Sequence, residues 1–206
     1  MVLDKSPERV LDNNLTHIQN EFRQNLPSIV LCSEPFDKAE FLNRLINSIK
    51  NPIIFVDMDL LYTGYIESGM IQKKNNVTIF HPDKESWKKE LLEIITKVSK
   101  EEFLVVIDSF NGVYNMFDDL ESVRFINSCI MFLSSFGRET NSSVIVTGMA
   151  RKKGENWIIS PGGKQIIKST KTGVYFLKKI ERNLIITSEN NTTEKSKLFK
   201  IEQKGS

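Results

Sequence analysis

The chain has 206 residues, 40% of them apolar and 26% charged, with 28 Lys and Arg against 26 Asp and Glu for a formal net charge of +2. This length suits one ordinary domain or two small ones, and the near balance of charge excludes a histone-like polycation and an acidic buffer. Two cysteines (Cys32, Cys129) and two histidines (His17, His81) are too few for a disulfide scaffold, a cysteine-rich zinc site or a histidine cluster, so no metal site is expected. The first residues are charged and contain Pro7, and no 18-residue run lacks charge, which leads to the expectation of a cytoplasmic protein that does not associate with membranes.

Residues 6–24 open with Ser6 and Pro7 and then space Val10, Leu11, Leu15, Ile18 and Phe22 as a helix or two short turns would. The run SIVLCS (28–33), between Pro27 and Pro35, has the length and flanks of a strand buried on both faces. Apolar residues at 41, 42, 45, 46 and 49 predict an amphipathic helix over 38–49. PIIFVDMD (52–59) and VTIFH (77–81) are further strands, and Asp83 caps a helix whose stripe is Trp87, Leu91, Ile94, Ile95 and Val98. FLVVIDS (103–109) is a fourth strand, a long helix is expected from about Asp119 to Gly137, and SVIVTGM (143–149) follows as a fifth strand.

Apolar strands alternating with helices imply a parallel sheet covered on both faces. The chain then changes character: GVYFLKK and NLIITSE are separated by only IER, too short for a crossover, so they form an antiparallel hairpin at one sheet edge, followed by KLFKIEQ. The polar stretch 189–196 is expected to be a loop.

A strand, a loop and a helix form the setting of a phosphate-binding P-loop, G-x4-G-K-[ST]. Laid on that pattern, the segment from Cys32 to Ala39 keeps the length and the lysine, Lys38, and little else. Cys32 and Asp37 replace the glycines that let backbone N–H groups curl around phosphate, Pro35 has no N–H, and Ala39 replaces the hydroxyl that holds magnesium. A carboxylate about 4 Å from a phosphate oxygen costs on the order of 4 kcal/mol at an effective dielectric of 20, roughly a thousandfold in affinity. Glu34 and Asp37 therefore oppose ATP binding. Asp108 closes LVVID, four apolar residues and an acid, in the form of the strand that orients magnesium and water in P-loop ATPases, and Asp57 and Asp59 end another strand. In a parallel sheet these ends converge on one crevice.

With these segments in order, the chain resembles the RecA/RadA recombinase superfamily, KaiC-like relatives included. LDNNL (11–15) is similar to the segment before that family's first strand, CSEPFDKA sits at its Walker A position, and LVVIDS sits at Walker B. SVIVTGM is similar to the strand whose polar end senses nucleotide, with Thr147 at the matching position; PGG (161–163), KSTKTGVYFLKK, NLIITSE and FKIEQKG are similar to the family's loop, hairpin and last strand. The resemblance implies one α/β domain over 1–206: a three-layer, mainly parallel RecA-like fold with a helical lead-in at 1–26, a basic loop at 149–173 and C-terminal strands at 173–203. It makes Asp37, Lys38, Ala39, Asp59, Asp108 and Thr147 the remnant of a nucleotide site, with no catalytic residue assigned.

Between Met149 and Gly173 lie Arg151, Lys152, Lys153, Lys164, Lys168 and Lys171 against the single acid Glu155, a net +5 in a chain of net +2. With Trp157 and the Gly162–Gly163 pair, the segment combines charge, mobility and a stacking ring, as single-stranded nucleic acid requires. In the family it resembles, the corresponding loop faces single-stranded DNA. The expectation is thus a catalytically degenerate RecA-like paralogue serving recombination or repair through a protein partner or oligomer and single-stranded DNA, with no cofactor of its own. The alternatives are a regulatory or scaffold subunit (KaiC-like or Elongator-like), or a weak ATPase whose ATP and Mg2+ site a partner completes. A phospho-receiver, which would also gather acids and a Thr at strand ends, lacks its Lys-Pro pair after Thr147.

Overall fold

A computed structural model describes residues 7–117, 119–153, 156–160, 166–188 and 198–201, with side chains from Leu15 onward. Residues 161–163, Lys164, the polar stretch 189–196 and the side chains of residues 7–14 and of Lys152 lie outside that description. The chain order is α1 (Pro7–Gln24), β1 (Ser28–Cys32), α2 (Pro35–Ser48), β2 (Ile53–Asp57), α3 (Leu61–Glu67), β3 (Val77–Phe80), α4 (Trp87–Val98) and β4 (Leu104–Asp108). It continues with α5 (Phe110–Met116), α6 (Leu120–Thr140), β5 (Ser143–Lys153), β6 (Asn156–Ile159), β7 (Gly173–Ile180), β8 (Asn183–Ser188) and β9 (Leu198–Ile201).

The strands form one sheet in the order β3-β2-β4-β5-β1-β7-β8-β9, with β6 paired to the far end of β5. From β3 to β7 every neighbouring pair is parallel, and β8 and β9 add antiparallel strands at the edge. Each residue of β1, β2 and β4 is buried because both sheet faces are covered. Side chains alternate between two cores. Ile29, Leu31, Val105 and Ile107 join α4, α5 and α6 on one face, while Val30, Phe55 and Val106 join α1, α2 and Tyr62 of α3 on the other. This is the α/β three-layer arrangement that the alternation of strands and helices predicts.

Three details differ from the sequence expectation. α3 and α5, seven residues each, fall where no helix is expected: two turns give little periodicity, and each contains a glycine, Gly64 or Gly112. β5 runs past Met149 to Lys153 and turns back as β6, so the first part of the basic segment is a hairpin and not a loop. Charged residues at 151–153 carry no apolar alternation to signal it. The β7–β8 link is two residues, Glu181 and Arg182, because Ile180 still pairs with Asn183; Glu181 adopts φ 54° to close the turn.

Candidate functional site

β1 delivers the chain to its C-terminal end at Cys32, and only Ser33 and Glu34 intervene before α2 begins at Pro35. Proline suits a first helical position because its fixed φ is already helical and its missing N–H is not needed there. The helix is under way by Lys38, whose N–H donates to the Glu34 carbonyl at 3.2 Å. Asp37 lies on the flank of α2, where burial raises its carboxyl above the ordinary range, and Ala39 packs into the core with Leu42. Neither joins the group that Lys38 enters.

Lys38 is 1% exposed, and its Nζ lies 2.6 Å from Asp108 Oδ1 and 3.3 Å from Asp59 Oδ2. Asp108 ends β4 and is the register partner of Asp57 at the end of β2, which explains why acids at the ends of two separate apolar runs meet. Thr147, on β5 beside β4, donates its hydroxyl to Asp108 Oδ1. Asp59 sits two residues beyond β2, where Oδ2 accepts from Ser109 Oγ at 2.9 Å and Oδ1 accepts from the Leu61 N–H at 3.2 Å. Ser109 also caps α5, accepting from the Gly112 N–H.

Asp57 Oδ2 accepts from the N–H and the hydroxyl of Thr63, both at 2.7 Å. Because that hydroxyl donates to Asp57, the His81 Nε2 at 2.8 Å from it is the donor in its own contact. Two buried carboxylate oxygens, Asp57 Oδ1 and Asp108 Oδ2, have no hydrogen-bond partner among the described residues. Asp57, Asp59 and Asp108 each bring an oxygen within 4.8 Å of the others, and are the described residues able to hold a cation.

Burial dominates the electrostatics. It pushes the Asp108 carboxyl up to about 6, against the opposing pull of Lys38, and raises that of Asp57 in spite of the Thr63 bonds. Burial pulls Lys38 down, but Asp108 and Asp59 outweigh it and hold the ammonium above the ordinary lysine value. At neutral pH Lys38 and Asp108 are therefore an ion pair. Burial takes the neighbouring Cys32 thiol up to about 12, so it is not a thiolate there.

Of the six positions expected at the site, the structure gathers four: Lys38, Asp59, Asp108 and Thr147. Ser109, Thr63 and His81 also belong to the network. The capping position of Ser109 after Asp108 is readable in sequence, whereas nothing there links Thr63 or His81 to Asp57.

In the basic segment, β5 and β6 pair Arg151 with Ile158, Lys152 with Trp157 and Lys153 with Asn156. Arg151, Lys153, Lys168 and Lys171 are exposed. Trp157 instead stacks on Phe176, with centroids 4.9 Å apart and planes at 14°, and packs against the core. Strand alternation puts Trp157 on the face opposite Arg151 and Lys153, so the structure does not bring the ring and these cations together.

The fold is similar to the ATPase domain of a helicase, with a TM-score of 0.57 and 10% identity over 96% of this chain and 95% of that one. It is also similar to the RadB recombinase (TM-score 0.51, 15% identity, 82% of this chain and 84% of that one). A third similar structure is a DnaB-like replicative helicase described with its interactions with primase (TM-score 0.53, 9% identity, 86% of this chain); there the match spans 55% of the helicase. No protein-family model and no curated protein sequence matches the chain. The chain thus has the RecA-like fold of recombinase and helicase ATPase domains, and no described helix is long and apolar enough to cross a membrane.

Proposed function

We propose that this chain is a catalytically degenerate RecA-like paralogue, acting without bound nucleotide as an accessory protein in DNA recombination or repair. One observation carries the reading: the Lys38 ammonium is engaged by Asp108 and Asp59 inside the protein. A lysine that binds phosphate must offer its charge outward, and freeing this one would strip a partner from two carboxylates, one of them fully buried, at a cost of about 3–5 kcal/mol. The ATP and Mg2+ that such a fold implies fit these residues poorly. The two-residue link between β1 and α2 is too short to curl around a triphosphate, and Glu34 and Asp37 add negative charge beside it.

A DNA role is supported by Arg151, Lys153, Lys168 and Lys171, which present positive charge to solvent and form no ion pair with an acid among the described residues. Single-stranded DNA would meet these cations along its backbone, with Trp157 contributing through the hairpin's rigidity and not as a stacking ring. A protein partner is supported by Phe36 and Leu60, exposed apolar side chains close in sequence to Lys38 and Asp59.

Fluorescence anisotropy of a labelled single-stranded oligonucleotide over a salt series, with and without MgATP, tests both parts. The expected result is equal affinity in the two conditions, and a salt slope that falls by about 0.7 for each phosphate no longer neutralised in Arg151→Ala and Lys153→Ala. A slope unchanged in both variants removes the DNA role and leaves the regulatory or scaffold subunit. Affinity that depends on MgATP removes the nucleotide-free reading.

A further inference from the structure

Six carboxylate oxygens of Asp57, Asp59 and Asp108 meet at the ends of β2 and β4, and their partners can be accounted for one by one. Asp57 Oδ2 takes both donors of Thr63, and Asp59 Oδ1 takes the Leu61 N–H. Asp59 Oδ2 takes Lys38 and Ser109, and Asp108 Oδ1 takes Lys38 and Thr147. Asp57 Oδ1 and Asp108 Oδ2 remain, both on residues 1% exposed and neither with a partner among the described residues. Buried polar atoms are rarely left so, and each orphan costs its full desolvation. The Lys38 ammonium thus engages two of the three carboxylates, yet the cluster holds more oxygens than three N–H groups can serve.

We propose that the Lys38 ammonium stands in the place of a divalent cation among Asp57, Asp59 and Asp108, and that removing it uncovers a divalent-cation site that needs no nucleotide. Three carboxylates confined within 4.8 Å require a positive charge to coexist in the ionised form. Lys38, projected from α2 into the cluster and itself 1% exposed, supplies that charge from within the chain. A hard cation that favours oxygen, such as Mn2+ or Mg2+, would take the two oxygens that Lys38 now contacts and could also engage the two orphans, with water completing its coordination. The ammonium ties β2, β4 and α2 together as such an ion would, but permanently and without a ligand to gain or lose. This inference rests on the reading that the site works without nucleotide, and extends it to what replaced the lost ligand.

The test compares full-length wild type with Lys38→Ala, following Mn2+ binding by loss of the free-ion paramagnetic resonance signal and stability by thermal melting, in the absence of nucleotide. Wild type should show no change in melting temperature with Mn2+ or with chelator. Lys38→Ala should melt roughly 10 °C lower in chelator, recover most of that with Mn2+, and bind Mn2+ at least about tenfold tighter than wild type. If the variant is unfolded in chelator, Mn2+ should fold it, as read by circular dichroism. If it stays unfolded, Lys38→Ala/Asp59→Asn, which restores the formal charge of the cluster, is read in the same way. No gain in Mn2+ affinity in either variant, or wild type already binding Mn2+ as tightly as the variant, overturns the inference. A parallel MgATP titration of wild type keeps the two readings apart: binding there overturns the nucleotide-free function, whereas its absence together with no Mn2+ gain overturns only the cation replacement.

Discussion

Asp108 accepts from Lys38 and Thr147 on one oxygen, while the other has no partner among the described residues. Burial outweighs the ion pair, and its carboxyl rises from 3.8 to about 6. The folded protein therefore binds this proton more tightly than the unfolded chain. The group's contribution to stability is full below about 3.8, declines as pH rises and is gone above about 6, a difference of up to about 3 kcal/mol. Urea unfolding of wild type and Asp108→Asn at a series of pH values should show that decline in wild type and a flatter profile in the variant. The Asp108 carboxyl carbon resonance should titrate with a midpoint near 6. A midpoint nearer the ordinary aspartate value, about 4, would mean that Lys38 outweighs burial. Lys38, held above the ordinary lysine value, acts in the opposite window: its contribution is held at neutral pH and lost only as strongly alkaline pH deprotonates the folded protein.

Among the elements, α5 shows how closely the site is built. A Cβ added at Gly112 would lie 2.8 Å from the backbone carbon and oxygen of Met58, so only glycine lets α5 seat against the link that carries Asp59. Gly112→Ala should cost about 1–3 kcal/mol in denaturant unfolding, despite alanine's better helix propensity, and should disturb the resonances of Asp59 and Ser109. A neutral or stabilising effect would show that the link yields without strain. The elements are unequally legible in the sequence. The continuous apolar runs of β1, β2 and β4 announce strands buried on both faces, and the three residues between two such runs announce the β7–β8 hairpin. α3 and α5 are hidden by their two-turn length, and the β5–β6 hairpin by the cations at its turn. Lys38, Asp59, Asp108 and Thr147 can be placed because each follows or lies within a recognisable strand–helix pattern. Thr63 and His81 cannot, since they reach Asp57 through a short helix and a strand end that only the folded sheet brings together.

Across the whole molecule, one sheet carries two cores, one under α4, α5 and α6 and the other under α1, α2 and α3. Lys38 reaches from the second of these layers to strand ends in the middle of the sheet, so a charged contact joins the helix layer to the sheet where a RecA-like ATPase domain would present its nucleotide site. The sheet is closed at this point by groups of the chain's own, and on this reading no nucleotide is needed there. Isothermal titration of the purified full-length protein with MgATP decides the matter. The expected result is no saturable binding tighter than about 100 μM, a free energy of roughly 5.5 kcal/mol. Saturable binding well below that concentration, abolished in Lys38→Met, would show instead that the buried ammonium still serves a phosphate.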